Sequence, residues 1–298
     1  MSNDRNFSLG VVMALSAGVC WGAMAVAAQS LFMGDSGITP MNLVTVRLLV
    51  AGLIFLVFSA QASINLVRSV VNIRDVICAG ALVFGGQFCF MQAISYQGAG
   101  PSAIILTTVP FWVAFWQACT QKKLPSLREV VCFVLALAGV SLIVTHGEFE
   151  KLNFDPTGVT WAIASAVISA AYTMQPRALL TRAPVTAVMG WAMLTGGIIA
   201  SFMAPPWSID FVPSWMNAFE LFVVVILGTI MAFWFYMMAI HLISPVIVGL
   251  IGSSEPLSAY VFSVIFLGTV VTVPEMFGAL LVLSAVSLVS LGGRKIRK

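Results

Sequence analysis

Charge is what this sequence lacks. Its 298 residues include only 14 Lys and Arg and 11 Asp and Glu, or 8%, where an average soluble chain carries about 25%. Hydrophobic residues make up 60%, and the mean hydropathy is +1.04. A water-soluble globule of this length would not have enough polar atoms to cover its surface, which excludes a soluble enzyme. Intrinsic disorder fails because large aliphatics abound, and a collagen-like chain fails because glycine has no period. Cysteine is scarce as well. Cys20, Cys78, Cys89, Cys119 and Cys132 all fall in apolar runs, where they act as small hydrophobes and exclude a disulfide scaffold. The net charge of +3 comes without a basic stripe or a nucleic-acid module, so nucleic acid is not an expected partner. A polytopic membrane protein remains.

Crossing about 30 Å of hydrocarbon takes about 20 apolar residues in a helix, which satisfies its own backbone hydrogen bonds where lipid offers none. Ten such segments are present, at 8–33, 40–60, 75–95, 101–120, 127–145, 157–180, 185–203, 218–241, 245–267 and 274–291. Turn formers separate them: Gly34-Asp35-Ser36-Gly37, Gln97 to Pro101, Asp155-Pro156, Ala204-Pro205-Pro206 and Ser244-Pro245. No linker is long enough for a second domain. The expected fold is therefore an all-α integral membrane protein with ten transmembrane helices.

Cytoplasmic loops retain Lys and Arg, so the cations report orientation. Arg5, Arg68, Arg74, Lys122, Lys123, Arg128, Arg177, Arg182, Arg294, Lys295, Arg297 and Lys298 collect on one side. The loops after odd-numbered segments hold only Lys151, beside Glu148, Glu150 and Asp155. That bias places both termini in the cytoplasm. Segment 1 is too long for a signal-peptide core and belongs to the series, despite Ala23-Met24-Ala25. Trp207 and Trp215 fit an interfacial belt.

The chain also repeats itself. An offset of 146 superimposes Met91, Ala93 and Ile94 on Met237, Ala239 and Ile240, Pro110 on Pro256, and Glu129 on Glu275. It carries Leu135, Leu137, Val140, Ser141 and Leu142 onto Leu281, Leu283, Val286, Ser287 and Leu288. Offsets of 148 and 144 bring Gly10 onto Gly158, Pro40 onto Pro184 and Gly52 onto Gly196. Residues 1–150 and 151–298 thus read as two repeats of five segments that together form one transport domain. Five is odd, so the second repeat enters the membrane inverted, an arrangement that lets two equivalent halves exchange conformations around a midplane site.

Ten helices in two inverted repeats resemble the drug/metabolite transporter superfamily, EamA type. The resemblance rests on Cys20-Trp21-Gly22, on Arg47 to Ala51, on the stretch from Ala93 through Tyr96 to Pro110, and on Glu255-Pro256. It covers essentially the whole chain. The family often ends its fourth and ninth helices with Gly-Glu, where this chain has Gln121-Lys122 and Gly268-Thr269. The resemblance implies a central cavity lined by segments 1–4 and 6–9, with segments 5 and 10 peripheral. It also implies a multi-pass protein of the bacterial inner (plasma) membrane that moves a small-molecule substrate as a monomer or homodimer.

Glu255 is the deepest acid by position, about eleven residues into a segment of roughly 23, which at ~1.5 Å per residue is near the midplane. An ionisable group there costs about 2.5–3.5 kcal/mol on insertion scales and should face a cavity or a partner. Pro256 removes a backbone donor and frees a carbonyl one turn earlier. Gly252, Ser258 and Ala259 share its face and leave room for a ligand. Glu255 is thus read as a proton-coupling carboxylate or the anchor of a cationic group; a protonated structural Glu across a kink is the alternative. Arg47, about 10 Å below the outer end of segment 2 at ~1.5 Å per residue, is the one cation well inside a span. It is suited to a substrate carboxylate or to pairing with Glu255, the alternatives being snorkelling and helix capping.

Six tryptophans fall within spans: Trp21, Trp112, Trp116, Trp161, Trp191 and Trp234. Trp112 and Trp116 share a face with Val109, the repeat counterpart of Glu255. Trp161, Ser165 and Tyr172 share another, with Gln175 nearby. Gln87, Met91 and Ser95 recur at four-residue steps, and segment 8 offers Trp234, Tyr236 and Met238. Facing inward, Trp21, Trp112, Trp116, Trp161, Tyr172, Trp234, Gln87, Met91 and Ser258 would line an aromatic cage suited to an ammonium or an aromatic side chain; the alternative is lipid contact or helix packing. Gly80, Gly85, Gly86, Gly249 and Gly252 read as close-packing or hinge positions. His146 and His241 read as interfacial. No phosphate loop, nucleophile elbow or His and Cys cluster is present, so no cofactor, metal or catalytic residue is expected. The leading reading is a secondary transporter that exports amino acids or related amines by alternating access, with proton coupling at Glu255. Transport of a quaternary amine such as choline, or of a cationic drug, is the second reading. A membrane enzyme lacks clustered polar groups, and a non-transport scaffold gives no reason for the midplane Glu.

Overall fold

Each apolar segment becomes one helix or a broken pair in the computed structural model, which describes residues 2–68, 70–97, 99–122, 124–151, 155–267 and 272–293. Gly98, Lys123, Gly268, Thr269, Arg294, Lys295, Arg297 and Lys298 lie outside the described residues, as do the side chains of Arg5, Ser95, Lys151 and Arg177. Segment 1 is α1 (Ser2–Met33); segment 2 is α2 (Pro40–Phe58), followed by α3 (Ala60–Val67); segment 3 is α4 (Val70–Gln97). Segment 4 divides into α5 (Ala99–Leu106) and α6 (Val109–Gln121), and segment 5 is α7 (Leu127–Thr145). Segment 6 gives α8 (Pro156–Met174) and one further turn, α9 (Arg177–Leu180); segment 7 is α10 (Val185–Ser201). Segment 8 runs unbroken through α11 (Trp215–Phe222), a π-helical stretch (Val223–Met231) and α12 (Ala232–Leu242). Segment 9 divides into α13 (Pro245–Gly252) and α14 (Ser254–Leu267), and segment 10 is α15 (Val273–Gly293). Among the described residues there is no strand.

The starts and breaks have local causes. Thr39 accepts the Asn42 N–H at 3.2 Å, and Pro40 fills the first turn of α2, where its missing donor costs nothing. Asp155 caps α8 through Thr157 and Gly158, ahead of Pro156. Ser126 and Glu129 form a reciprocal capping box on α7. Pro110 has no N–H for the carbonyl of Leu106, where α5 ends, and Pro256 has none for Gly252, where α13 ends. The equivalent prolines of the two repeats therefore interrupt equivalent segments.

Among the described residues, seven helices are long and apolar enough to cross a membrane, one of them, Pro245–Phe266, running through the break at Ser253, while Val185–Ser201 and Val273–Leu288 are shorter apolar helices and segment 4 is split. Two features were not foreseen. Helix α3 lies between segments 2 and 3, amphipathic, with Ser63 and Leu66 buried and Ile64 exposed. Trp191 pins it by donating its indole N–H to the Ser63 carbonyl at 3.1 Å. The π-helical stretch is stitched by Thr229, whose hydroxyl donates to the Val224 carbonyl at 2.9 Å.

Helices α7 and α15 pack together, α10 lies on α2 and α4, α4 lies on α8, and α1 lies against α12, α14 and the π-helical stretch. Small residues permit the closest approaches. A Cβ on Gly22 would lie 2.6 Å from the Ala259 backbone nitrogen, and one on Gly18 would lie 2.2 Å from the Ser254 hydroxyl. Gly18 and Gly22, one turn apart, thus form the small-residue seam of α1 against α14. Gly139 and Gly278 meet in the same way between α7 and α15.

Candidate functional site

Arg47 is 5% exposed on α2, so it does not snorkel. Its guanidinium donates to the Gln87 side-chain oxygen on α4 at 2.7 Å and to the Met24 sulfur on α1 at 3.2 Å. Its Nε is buried without a partner. A buried cation held by one amide oxygen and one thioether, with a donor left over, is not neutralised by its fixed surroundings. Glu255 supplies the counter-charge. It lies in the first turn of α14, beside the break at Ser253, and the two groups act on each other electrostatically. They form no ion pair within 4.0 Å, and the Glu255 carboxylate has no hydrogen bond among the described residues. Gly252 borders open space: a Cβ there would meet nothing within 4 Å.

A cluster of rings lies in the bundle core. Trp21 meets Tyr236 at 5.1 Å and Phe233 edge-on at 5.4 Å, and Phe233 in turn meets Tyr172 at 6.1 Å. The Tyr236 hydroxyl pairs with Thr173 at 2.9 Å and feels the charge of Glu255. Arg47 is thus brought to Gln87 and Met24, and Trp21 to Phe233, Tyr236 and, through Phe233, Tyr172, with Glu255 in electrostatic reach of Arg47 and Tyr236.

The other expected residues go elsewhere. Trp161 packs edge-on against Phe88 at 5.7 Å, and Ser165 donates to the Gly86 carbonyl, so that face of α8 serves its packing on α4. Trp112 donates its indole N–H to the Thr108 hydroxyl and meets Phe111 and Phe115 edge-on. Trp234 packs on Phe235, Met91 lies against the core, and Ser258 sits on Gly22 in the α1–α14 seam. Phe233 and Met24 were missed. Both are apolar residues in apolar helices, and only their spacing of three from Tyr236 and Trp21 could have drawn attention to them.

Trp116 lines a separate space. A half-open cleft of about 770 Å³ lies between the ends of α4 and α6, floored by α8, α9 and the end of α12, with Cys78, Trp116, Gln175 and His241 on its walls. This is the end of the bundle that carries Arg74, Lys122 and Arg182. At the opposite end two loops meet: the Val212 N–H donates to the Ser36 carbonyl at 3.1 Å, and the Ser36 hydroxyl donates to the Leu31 carbonyl.

Depth and burial part company at Glu275, which is fully buried although it begins a helix. Its carboxylate accepts from the Thr272 N–H and, at 2.9 Å, from the Tyr260 hydroxyl; His146, left-handed at the end of α7, pairs with its other oxygen. Glu129 accepts from Ser126 in the same capping position of α7. The repeat-related glutamates are thus helix caps, and His146 has a specific partner where only an interface was expected.

Three comparisons bear on this arrangement. The model of the EamA-like transporter family matches residues 8–145 and again 156–291. The inner membrane transporter YicL of Salmonella typhimurium strain LT2, itself uncharacterised, is 30% identical over 292 residues, 96% of each chain. A solved crystal structure is similar over 98% of this chain and 99% of its own, with a TM-score of 0.82 at 15% identity, which speaks to the fold alone.

Proposed function

Because this chain belongs to the EamA-like transporter family, and is therefore a transporter of the inner membrane and not an enzyme, we propose that it exports amino acids or related amines by alternating access. In this reading ten helices form two inverted repeats, residues 1–150 and 151–298, with both termini in the cytoplasm. The two family matches, each covering five segments, support the repeat, as do the paired breaks before Pro110 and Pro256.

The observation that carries the substrate reading is the opposition of Arg47 and Glu255, coupled but unpaired inside the bundle. Two opposite charges with spare hydrogen-bonding capacity suit a ligand that bears both, a carboxylate toward Arg47 and Gln87 and an ammonium toward Glu255. The rings of Trp21 and Tyr236 suit either an ammonium or an apolar side chain. Glu255 then exchanges its ligand ammonium for a proton in each cycle. A quaternary amine or cationic drug is favoured by the rings and opposed by the buried guanidinium, which repels it.

Flux in proteoliposomes decides. A panel of labelled amino acids, choline and cationic dyes under an imposed pH gradient is expected to show amino-acid movement driven by that gradient. Glu255→Gln is expected to remain folded and lose the gradient-driven part by at least tenfold. Wild-type flux indifferent to pH would remove the coupling role, and flux of choline alone would replace the substrate class.

A further inference from the structure

A second acid lies inside the bundle and has no part in the site described so far. Helix α11 buries one of its eight residues, and that residue is Glu220, 7% exposed, while Trp215, Met216, Phe219 and Phe222 all face outward. Lipid explains the outward rings, but an ionisable group turned inward calls for a partner or a function. Glu220 has no partner: among the described residues it makes no ion pair and no hydrogen bond. Nor is it sealed, because its carboxylate oxygens are not fully enclosed as the unpartnered Arg47 Nε is. It lies five residues past the exposed Trp215, about 7–8 Å deeper at ~1.5 Å per residue.

Its surroundings decide what it can hold. Leu221 and Val224, beside it on the helix, belong to an apolar cluster with Leu31 and Met24 of α1 and Leu43 of α2. The elements packed closely on α11 are α1 and the π-helical stretch, and neither 24–33 nor 223–231 contains a titratable residue. Asp35 and Asp210 are exposed in the loops beyond, and Arg47 is one turn further in than Leu43. A metal ion or an ammonium needs several acceptors, which aliphatic neighbours do not supply; a proton needs a single oxygen. An ionised carboxylate in such company is costly, and a proton removes that cost. The same face of segment 8 continues from Glu220 through Val224 to Gly228, where a Cβ would lie 2.3 Å from Met24, and the Met24 sulfur accepts from Arg47. We propose that Glu220 is a second proton-binding group, loaded from the end of the bundle away from Arg74, Lys122 and Arg182. A proton from water at that end neutralises its carboxylate. That this proton then passes to the Glu255 carboxylate, once the ligand ammonium has left, rests on the transport reading; the protonation of Glu220 does not.

Dicyclohexylcarbodiimide, which modifies buried carboxyl groups that hold a proton, tests the site in right-side-out membrane vesicles whose inner and outer pH are set separately. The modified residues are read by peptide mass spectrometry of the protein purified from them. Glu220 is expected to react at least fivefold faster when the outer buffer is mildly acidic than when it is mildly alkaline, at one fixed inner pH, and to do so equally in Glu255→Gln. Glu129 and Glu275, held by capping hydrogen bonds, are expected to stay unmodified. No reaction at Glu220, a rate that follows inner pH alone, or a rate lost in Glu255→Gln overturns the site. Flux of a labelled mixture of the common amino acids in proteoliposomes then tests the onward step. Glu220→Gln is expected to lose gradient-driven flux at least fivefold and to keep exchange of amino acid for amino acid, with Glu220→Asp recovering part of the loss. A fall in both alike, with a lowered unfolding midpoint, marks a structural group and overturns the role. Wild-type protein that moves no amino acid while Glu220 reacts as expected would overturn the transport reading and leave the proton site standing.

Discussion

Arg47 shows what one side chain can reveal in a chain so poor in charge. A guanidinium is planar and forked, so it reaches Gln87 and Met24 at once; an ammonium is a point charge on a flexible stem and reaches one. Arg47→Lys is therefore expected to lower flux at least tenfold while the protein stays folded, and unchanged flux would show that no bidentate contact to substrate is needed. Gln87→Leu removes a charge-assisted bond from a buried cation, a loss of about 1.5–3 kcal/mol, to be read as a lowered midpoint of thermal unfolding in detergent. Both charged partners were legible in the sequence because an ionisable residue inside an apolar run stands out against its neighbours. Their apolar company was not. Trp161 and Trp21 carry the same sequence signal, yet Trp161 packs on Phe88 while Trp21 faces Tyr236. In a membrane helix both the lipid face and the packed face are apolar, so hydrophobic periodicity does not tell them apart.

At the scale of elements, proline and capping residues wrote the boundaries and small residues wrote the contacts. Helices α2, α7 and α10 begin where Pro40, Leu127 and Val185 mark the segments, and α6 and α14 begin just ahead of Pro110 and Pro256. Helix α3 and the π-helical stretch were illegible. The first is short and amphipathic beside a strong apolar segment, and the second depends on one Thr229 bond and on Gly228 closing onto Met24. The α1–α14 seam offers a sharp comparison of glycines. A methyl on Gly22 meets backbone at 2.6 Å, which cannot move away as a side chain can, whereas one on Gly252 meets nothing. Gly22→Ala is expected to cost about 1–3 kcal/mol through overpacking, and Gly252→Ala is expected to leave the unfolding midpoint unchanged. Equal midpoints for the two variants would mean that α1 and α14 separate at little cost, as sliding elements would.

For the whole molecule, the segments that the sequence repeat pairs pack differently in the two halves. Helix α1 packs tightly on both α12 and α14, whereas its counterpart α8 packs on α4 and α6 with a cleft open between them. The repeat equivalent of Ser258, which nestles on Gly22, is the far larger Trp112, so the second seam cannot copy the first without moving that ring. Under the proposed alternating access, this asymmetry is what one conformation of the pair would show, with a cleft at the end that carries Arg74, Lys122 and Arg182. At the opposite end the 34–39 and 208–212 loops touch, where Gly37, at φ +70°, leaves no room for a side chain against the Asp210 carbonyl. If transport needs that end to open, fixing it must stop flux. A protein carrying Ser36→Cys and Val212→Cys, whose backbones meet at 3.1 Å, is expected to lose flux when oxidised and recover it when reduced. Cys78 should stay reactive throughout, since the cleft at the opposite end remains open. Full flux through the cross-linked form would show that the substrate never passes between these loops, and would require a path that bypasses this end.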